Sequence, residues 1–254
     1  MAGRADQSKL LRHVLRHGDR ALVLAQRLGQ CITHGPEIEE DVALANISLD
    51  LIGQARHLYT YAGTVEGLAH DEDHFAYWRD ADEFLNPLLV EQPNGDFAHT
   101  MVRQFFHDAY AIVYWESMRA STDSTLAALA VRAHKETSFH LRHSRGWVTR
   151  LGDGTAESHR RTQEAVDALW GFTGELASND DESEFRMLGL IGEIDLGERW
   201  VTTIEAALSG ATLQVPTDVS IVTGGWDGQH SEHLAPLVAE LQSVARAHQA
   251  GAKW

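Results

Sequence analysis

Apolar residues recur at three- and four-residue spacing through most of this chain, which is the periodicity of an amphipathic α-helix. The pattern predicts helices at residues 9–30, 37–61, 97–118, 124–151, 156–176, 195–208 and 231–248. Three stretches break it: residues 64–95 are predicted to be irregular, residues 178–184 to be an acidic loop, and residues 210–228 to form an extended excursion. Long helices with short connections are typical of bundles. The sequence therefore predicts an all-α, up-and-down helical bundle, as a single domain over residues 1–254.

Several predicted helices carry capping signals at their ends. Gly35-Pro36 marks a break before the second helix. Asp96 and Asp123 stand where an N-cap would accept a backbone hydrogen bond, at the starts of the third and fourth helices. These signals place the helix boundaries that the periodicity leaves open.

The second predicted helix has one polar stripe. At 100° per residue, Glu39, Asn46, Asp50 and His57 fall within about 40° of one another. Apolar residues fill most of the remaining circumference, which indicates a helix packed on several sides. The stripe therefore faces either a narrow strip of solvent or a buried polar seam, and the sequence leaves both open.

A di-iron carboxylate bundle needs Glu-x-x-His motifs on its core helices. The best match on the second helix begins at Asp50, and Gly53 stands where a metal would need histidine. On the fourth helix Glu136 is followed by His140 one turn later, which favours a Glu–His hydrogen bond over a shared metal. No Glu in the chain has a His three residues later, and the Asp-x-x-His matches lie in loops or at helix starts. We interpret Asp50, Gly53, Glu136 and His140 as a degenerate metal-site region, with His143 on the same stripe as His140.

Composition narrows the possible functions. The formal net charge of -16 opposes binding to nucleic acid or to an anionic membrane, and also to an acyl-CoA unless local arginines reverse the field. The single cysteine, Cys31, excludes an internal disulfide and is predicted to be a buried small residue. No apolar run is long enough to span a membrane, and the N-terminus is too charged for a signal peptide, so we expect a cytoplasmic protein.

Four strings carry a resemblance to a known family: LANISLDLIGQARHLYTYA, LLVEQPNGDFAHTMVRQFF, FHLRHSRGWVTRLGDGT and TGGWDGQHSEHLAPLVAELQ. They resemble the C subunits of phenylacetyl-CoA 1,2-epoxidase complexes, almost from end to end. The resemblance implies a ferritin-like four-helix bundle with extra C-terminal helices. It also implies a non-catalytic structural subunit, which pairs with the catalytic A subunit in aerobic phenylacetate degradation. The di-iron centre would then lie in A, and FAD and iron–sulfur in a reductase subunit, with no cofactor in this chain.

In the family, the C subunit is also credited with contacts to the CoA substrate. Two segments of this chain align with the family's substrate contacts, Glu83-Phe84-Leu85-Asn86 and Glu184-Phe185-Arg186. Arg186 and Asn86 suit a phosphate or an amide of CoA. An ordinary surface loop is the alternative for both segments.

Two other functions stay open from the residues. One is a divergent ferritin-like oxygenase that binds iron itself, and the other is a ferritin-like binding or storage protein without an oxygenase partner. An obligate heterodimer would need a large apolar interface. Its candidate anchors are the aromatic residues Phe75, Tyr77, Trp78, Phe84, Trp115 and Trp147, with core burial as the competing interpretation, favoured for Trp115 and Trp147.

Overall fold

The computed structural model describes residues 4–177 and 181–248. Their helices are, in chain order, α1 (Arg4–Cys31), α2 (Ile38–Glu66), α3 (Leu88–Glu91), α4 (Phe97–Met118), α5 (Ser124–Gly152), α6 (Ala156–Trp170), α7 (Gly174–Ala177), α8 (Glu182–Met187), α9 (Leu196–Gly210) and α10 (Leu234–Arg246). A π-helical turn at His74–Trp78 and 3₁₀ turns at Ala81–Glu83 and Gly225–Asp227 complete the set. These ranges contain no strand, so the all-α prediction is confirmed, consistent with a ferritin-like helical bundle.

The described residues form two compact units. Unit 1 takes residues 4–32, 41–93 and 224–248, and unit 2 takes residues 33–40, 94–177 and 181–223. The expectation of a single domain over residues 1–254 stays a prediction.

Unit 1 is built on α1 and on α2 from residue 41 onward. The two helices approach closely at Gly18, where an added Cβ would lie 2.5 Å from the Tyr59 ring. The hydroxyl of Ser48 donates to the carbonyl oxygen of Ala25 at 2.9 Å, which fixes α2 against α1 at a second point. Cys31 is buried at the end of α1, as predicted.

Unit 2 is built on the α4–α5 hairpin. Asp96 accepts a hydrogen bond from the His99 amide at 2.9 Å, and Asp123 accepts from the Thr125 and Leu126 amides. Both are N-caps, so the predicted starts of α4 and α5 are confirmed. Because only a short turn joins them, the two helices run antiparallel and pack along their length.

The helix predicted over residues 156–176 is interrupted. The chain leaves the α6 conformation at Gly171, whose carbonyl oxygen accepts from the Val222 amide at 2.8 Å. A Cβ on Gly171 would lie 2.9 Å from the Ser220 carbonyl oxygen. The non-helical segment 211–223 therefore passes directly against α6 and replaces the next helical hydrogen bond there.

Two expected loops contain helical turns. Within residues 64–95 lie the π-helical turn, a 3₁₀ turn and α3. The acidic stretch 178–184 was expected to be a loop; residues 178–180 lie outside the described residues, and α8 begins at Glu182. The predicted helix at 231–248 is shorter, because the chain adopts α10 only from Leu234 to Arg246.

Candidate functional site

The most buried carboxylate of unit 2 is Asp108 on α4, which faces α5. One of its oxygens accepts from the side-chain amide of Gln104 at 2.7 Å and lies 3.1 Å from Nδ1 of His107. The other accepts from the Ser144 hydroxyl at 2.8 Å. All four side chains are buried, so the acceptor positions of Asp108 are occupied by donors of its own unit.

Gln104 and His107 have a spacing that the motif pattern overlooks. They stand three residues apart on a long core helix, as the Glu and His of a di-iron motif do. The motif pattern covers Glu-x-x-His and Asp-x-x-His but not Gln-x-x-His. Gln104 differs from Glu only in carrying an amide in place of the carboxylate. A neutral amide brings no negative charge to a metal ion, and here its nitrogen donates to Asp108. This donor set does not fit a di-iron centre.

The metal-site region predicted on α2 lies at the surface of the described chain. Asp50 and Gly53 are half-buried, and a Cβ added to Gly53 would have no atom within 4 Å. Glu39, Asn46 and His57 are exposed, so the polar stripe is a strip of surface rather than a buried seam. Gly53 therefore leaves open space where the motif would place histidine.

The prediction that α2 is packed on several sides is wrong for the isolated chain. Ile38, Val42, Leu49 and Ile52 are 73%, 56%, 64% and 44% exposed. At 100° per residue they fall within an arc of about 80°, next to the polar stripe. We call these four residues the apolar stripe of α2. The sequence pattern showed that these positions are apolar, but it could not show that the chain leaves them uncovered.

The predicted stripe on α5 divides into two environments. Glu136 is half-buried and accepts from Nε of Arg132 at 2.7 Å, one turn earlier. His140 is buried. His143 lies 2.8 Å from a carboxylate oxygen of Glu40, and the indole of Trp147 donates to the same oxygen at 2.8 Å. Two α5 side chains thus hold the first turn of α2.

The first predicted substrate segment is anchored on a buried ion pair of unit 1. The carboxylate of Asp19 binds the guanidinium of Arg79, accepts from the Tyr59 hydroxyl at 2.6 Å, and accepts from the backbone amide of Leu85 at 2.8 Å. We call Asp19, Tyr59 and Arg79 the Asp19 cluster. Burial lowers the pKa of Arg79, but Asp19 outweighs this and raises it. Burial and Asp19 together raise the pKa of Tyr59.

The four residues of that segment have different exposures. Phe84 is fully buried, with the Arg79 guanidinium 4.4 Å from its ring centre. Asn86 is fully buried and donates to Glu91 at 3.1 Å. Glu83 is exposed and Leu85 is half-buried. Only these last two could touch a ligand without rearrangement, and the assignment of the segment to substrate stays a prediction.

Glu91 extends this network to the C-terminal part of unit 1. It is fully buried, accepts from the Ser231 amide at 2.6 Å and lies 2.9 Å from Nδ1 of His230. Nε2 of His230 lies 2.6 Å from the Phe84 carbonyl oxygen. Burial alone would lower the pKa of His230, but the hydrogen bonds to Glu91 and Phe84 outweigh it and raise the pKa. Both ring nitrogens face acceptors, which suits the imidazolium form.

The second predicted substrate segment lies in α8. Phe185 is buried, while Glu184 and Arg186 are half-buried. The Arg186 guanidinium donates to Glu182 at 3.0 Å and to the Ile194 carbonyl oxygen at 2.5 Å. Arg186 is therefore engaged within its own unit, and its assignment to substrate also stays a prediction.

Half of the six proposed aromatic anchors are core residues. Phe75, Phe84 and Trp115 are buried, so for these three the competing interpretation is confirmed. Tyr77, Trp78 and Trp147 are half-buried. The large exposed apolar side chains are aliphatic for the most part, and those of α2 form the longest run along one helix.

Metal-binding groups and membrane-spanning helices are both absent from the described ranges. In residues 4–177 and 181–248, no three His, Cys, Asp or Glu side chains are grouped so that they could hold a metal ion. None of the helices in these ranges is long and apolar enough to cross a lipid bilayer.

The chain is similar to a protein family and to a known protein over most of its length. The family model described as "Phenylacetic acid catabolic protein" matches residues 1–254. The chain is 45% identical over 241 residues to the C subunit of the 1,2-phenylacetyl-CoA epoxidase of Escherichia coli (strain K12), which covers 94% of this chain and 97% of that protein.

Proposed function

The chain belongs to the phenylacetic acid catabolic protein family, and from that membership we propose that it is a structural subunit of a phenylacetyl-CoA epoxidase complex. The observation that carries the proposal is the 45% identity with the C subunit of such an epoxidase, because it extends over almost the whole of both chains. The role of this chain is to stabilise a separate catalytic subunit of ferritin-like fold.

The chemistry of the α4–α5 core supports a non-catalytic role. The carboxylate of Asp108 is surrounded by side chains of this chain, since Gln104 Nε2, His107 Nδ1 and the Ser144 hydroxyl all face it. In this proposal, following the family resemblance, the di-iron centre lies in the catalytic A subunit, and the FAD and iron–sulfur cofactors lie in the reductase subunit. No step of the epoxidation is assigned to residues of this chain.

The apolar stripe of α2 supports the presence of a partner. Aliphatic side chains exposed in a row are typical of a surface that another protein covers. Full burial of side chains such as Leu49 contributes roughly 1.5–3 kcal/mol each, so four of them could supply the centre of a stable interface. We assign this stripe to the contact with the catalytic subunit.

Phenylacetyl-CoA is proposed to bind near this chain in the complex. In the two predicted substrate segments, the side chains exposed enough to contact a ligand are Glu83, Leu85, Glu184 and Arg186. Arg186 could bind a phosphate only by exchanging its contact with Glu182.

Co-expression with the A subunit from the same source tests the proposal. We expect the two chains to purify as a heterodimer, with iron in A, and the epoxidation of phenylacetyl-CoA to need A and the reductase. Leu49→Asp should abolish co-purification. Val244→Asp on α10 is the matched control, because Val244 is also 64% exposed, and it should leave the heterodimer intact.

One result would overturn this assignment in favour of the divergent oxygenase. The isolated chain would bind about one or two irons, as a di-iron bundle does. It would also epoxidise phenylacetyl-CoA with the reductase alone.

A further inference from the structure

Three exposed arginines line one side of α5. Arg142, Arg145 and Arg150 border a surface cleft of about 500 Å³, together with Gly146 in the middle of the run. We call these three arginines the basic face of α5. They concentrate positive charge on a chain whose formal net charge is -16.

Carboxylates of the described residues do not neutralise the basic face. In residues 4–177 and 181–248, no carboxylate oxygen lies within 4 Å of these three guanidinium groups. Two other exposed arginines of unit 2 are paired: Arg132 binds Glu136 at 2.7 Å, and Arg160 binds Glu164 at 2.6 Å. Since carboxylates outnumber cations in this sequence, three arginines without a carboxylate on one side of a helix are a local concentration of positive charge.

Aromatic rings hold two of the three arginines in place. The guanidinium carbon of Arg142 lies 4.6 Å from the ring centre of Phe139, and that of Arg150 lies 5.5 Å from the ring centre of Trp147. These contacts direct the cations along the helix surface without consuming their hydrogen-bond donors. Less side-chain entropy is then lost when an anionic partner binds.

Gly146 leaves a gap in this face. A Cβ there would have no atom within 4 Å, so alanine would fit the isolated chain. Glycine inside a helix is less favourable than alanine. A surface that must admit another backbone closely gives a physical reason for glycine at this position.

The length of the face identifies the kind of partner. Val131 and Phe139, which are 58% and 56% exposed, continue the face toward the start of α5. From Val131 to Arg150 the surface spans about 28 Å at 1.5 Å per residue. A small organic phosphate would occupy only a fraction of that length. An acidic, amphipathic helix could meet the apolar and the basic positions together.

We propose that the basic face of α5 docks an acidic, amphipathic helix of another subunit of the complex. The proposal rests on the proposed function in that it assumes a multisubunit assembly, but it uses a different helix from the apolar stripe of α2. The rest of this acidic chain repels an acidic partner, so the basic face also fixes where the partner binds.

The test uses the complete assembly, with the tagged chain co-expressed with the remaining epoxidase subunits of its source. The subunits retained at low and high salt are quantified by native mass spectrometry. We expect Arg142→Glu combined with Arg145→Glu to raise the Kd for one subunit by about tenfold or more, while the A subunit stays bound. Arg160→Glu combined with Arg161→Glu changes the charge equally on α6 and should retain every subunit.

Two further measurements exclude misfolding as the cause. Gly146→Ala should raise the Tm of the isolated chain and yet weaken retention of the same subunit. A photoreactive phenylalanine analogue at position 139 should crosslink to a segment of that subunit rich in Asp and Glu.

Two results would overturn the proposal. The α5 and α6 double variants could retain all subunits equally, with no intersubunit crosslink from position 139. Alternatively, the α5 double variant could raise only the KM for phenylacetyl-CoA in an intact assembly, which would make the face a site for a small anion. In either case, retention of the A subunit by the unsubstituted chain reports separately on the proposed function.

Discussion

The interior of unit 1 and the exposed side of α5 both depend on arginine, but in opposite ways. In the Asp19 cluster, the Arg79 guanidinium is buried against a carboxylate and under the Phe84 ring. On the basic face of α5, the arginines are exposed and bind no carboxylate among the described residues. The first arrangement stabilises the fold, and the second leaves its charge available to a partner.

Cations in an acidic chain therefore fall into two kinds. A cation that has entered the core with its anion cannot be removed alone without leaving an unpaired buried charge. A cation left in solvent costs the fold nothing when it is lost. Substitutions should therefore separate the two regions by their effect on stability.

The largest effect is expected for Arg79→Met, which removes the cation and leaves Asp19 buried. We expect the free energy of unfolding to fall by about 3–5 kcal/mol, measured by urea denaturation of the isolated chain. Replacing both residues, Asp19→Leu with Arg79→Met, should restore part of that loss. Equal losses in the single and double variants would show that packing, rather than charge, dominates the Asp19 cluster.

A smaller effect, with a defined pH dependence, is expected at His13 on α1. Burial, helped by Arg16 and Arg20, lowers the pKa of His13 from 6.5 to about 3. Between pH 6.5 and pH 3 the unfolded chain therefore binds a proton at His13 that the folded chain does not bind. The folded state loses stability as the pH falls through this range. Between pH 7 and pH 4 the unsubstituted protein should lose about 3 kcal/mol more than His13→Gln.

Urea denaturation at the two pH values measures this difference. Parallel pH profiles of the two proteins would show that His13 binds a proton as readily in the folded chain as in the unfolded chain, and that its burial does not lower its pKa.

The smallest effect is expected on the basic face. Arg142→Ala should change the free energy of unfolding by less than about 0.5 kcal/mol, because an exposed cation without a partner contributes little. A loss above about 1 kcal/mol in thermal or urea unfolding would mean that this arginine supports the fold after all.

The sequence predicts the helices better than it predicts their surroundings. Periodicity and the caps Asp96 and Asp123 locate α4 and α5 almost to the residue, because these signals are local. The break at Gly171 could not be predicted, because it depends on a segment that is distant in sequence.

The candidate site shows the same limit in two ways. The pair Gln104 and His107 was missed because the motif pattern assumes that a ligand position keeps its carboxylate. The exposure of Leu49 and Ile52 was missed because an apolar residue looks the same in sequence whether its own chain or another covers it. A pattern that allowed Gln for Glu would have found the first, but only the folded chain reveals the second.

The Leu85 amide illustrates what the buried ion pair does to a connecting segment whose regular structure is a single 3₁₀ turn. The Leu85 amide donates to Asp19, and the Arg79 guanidinium donates to the Glu83 carbonyl oxygen. Together these two hydrogen bonds fix the number of residues between Arg79 and Leu85. Loops normally tolerate insertions, but one added residue at this point would break both contacts. In evolutionary terms, residues 79–85 should keep their length as strictly as a helix of the core does.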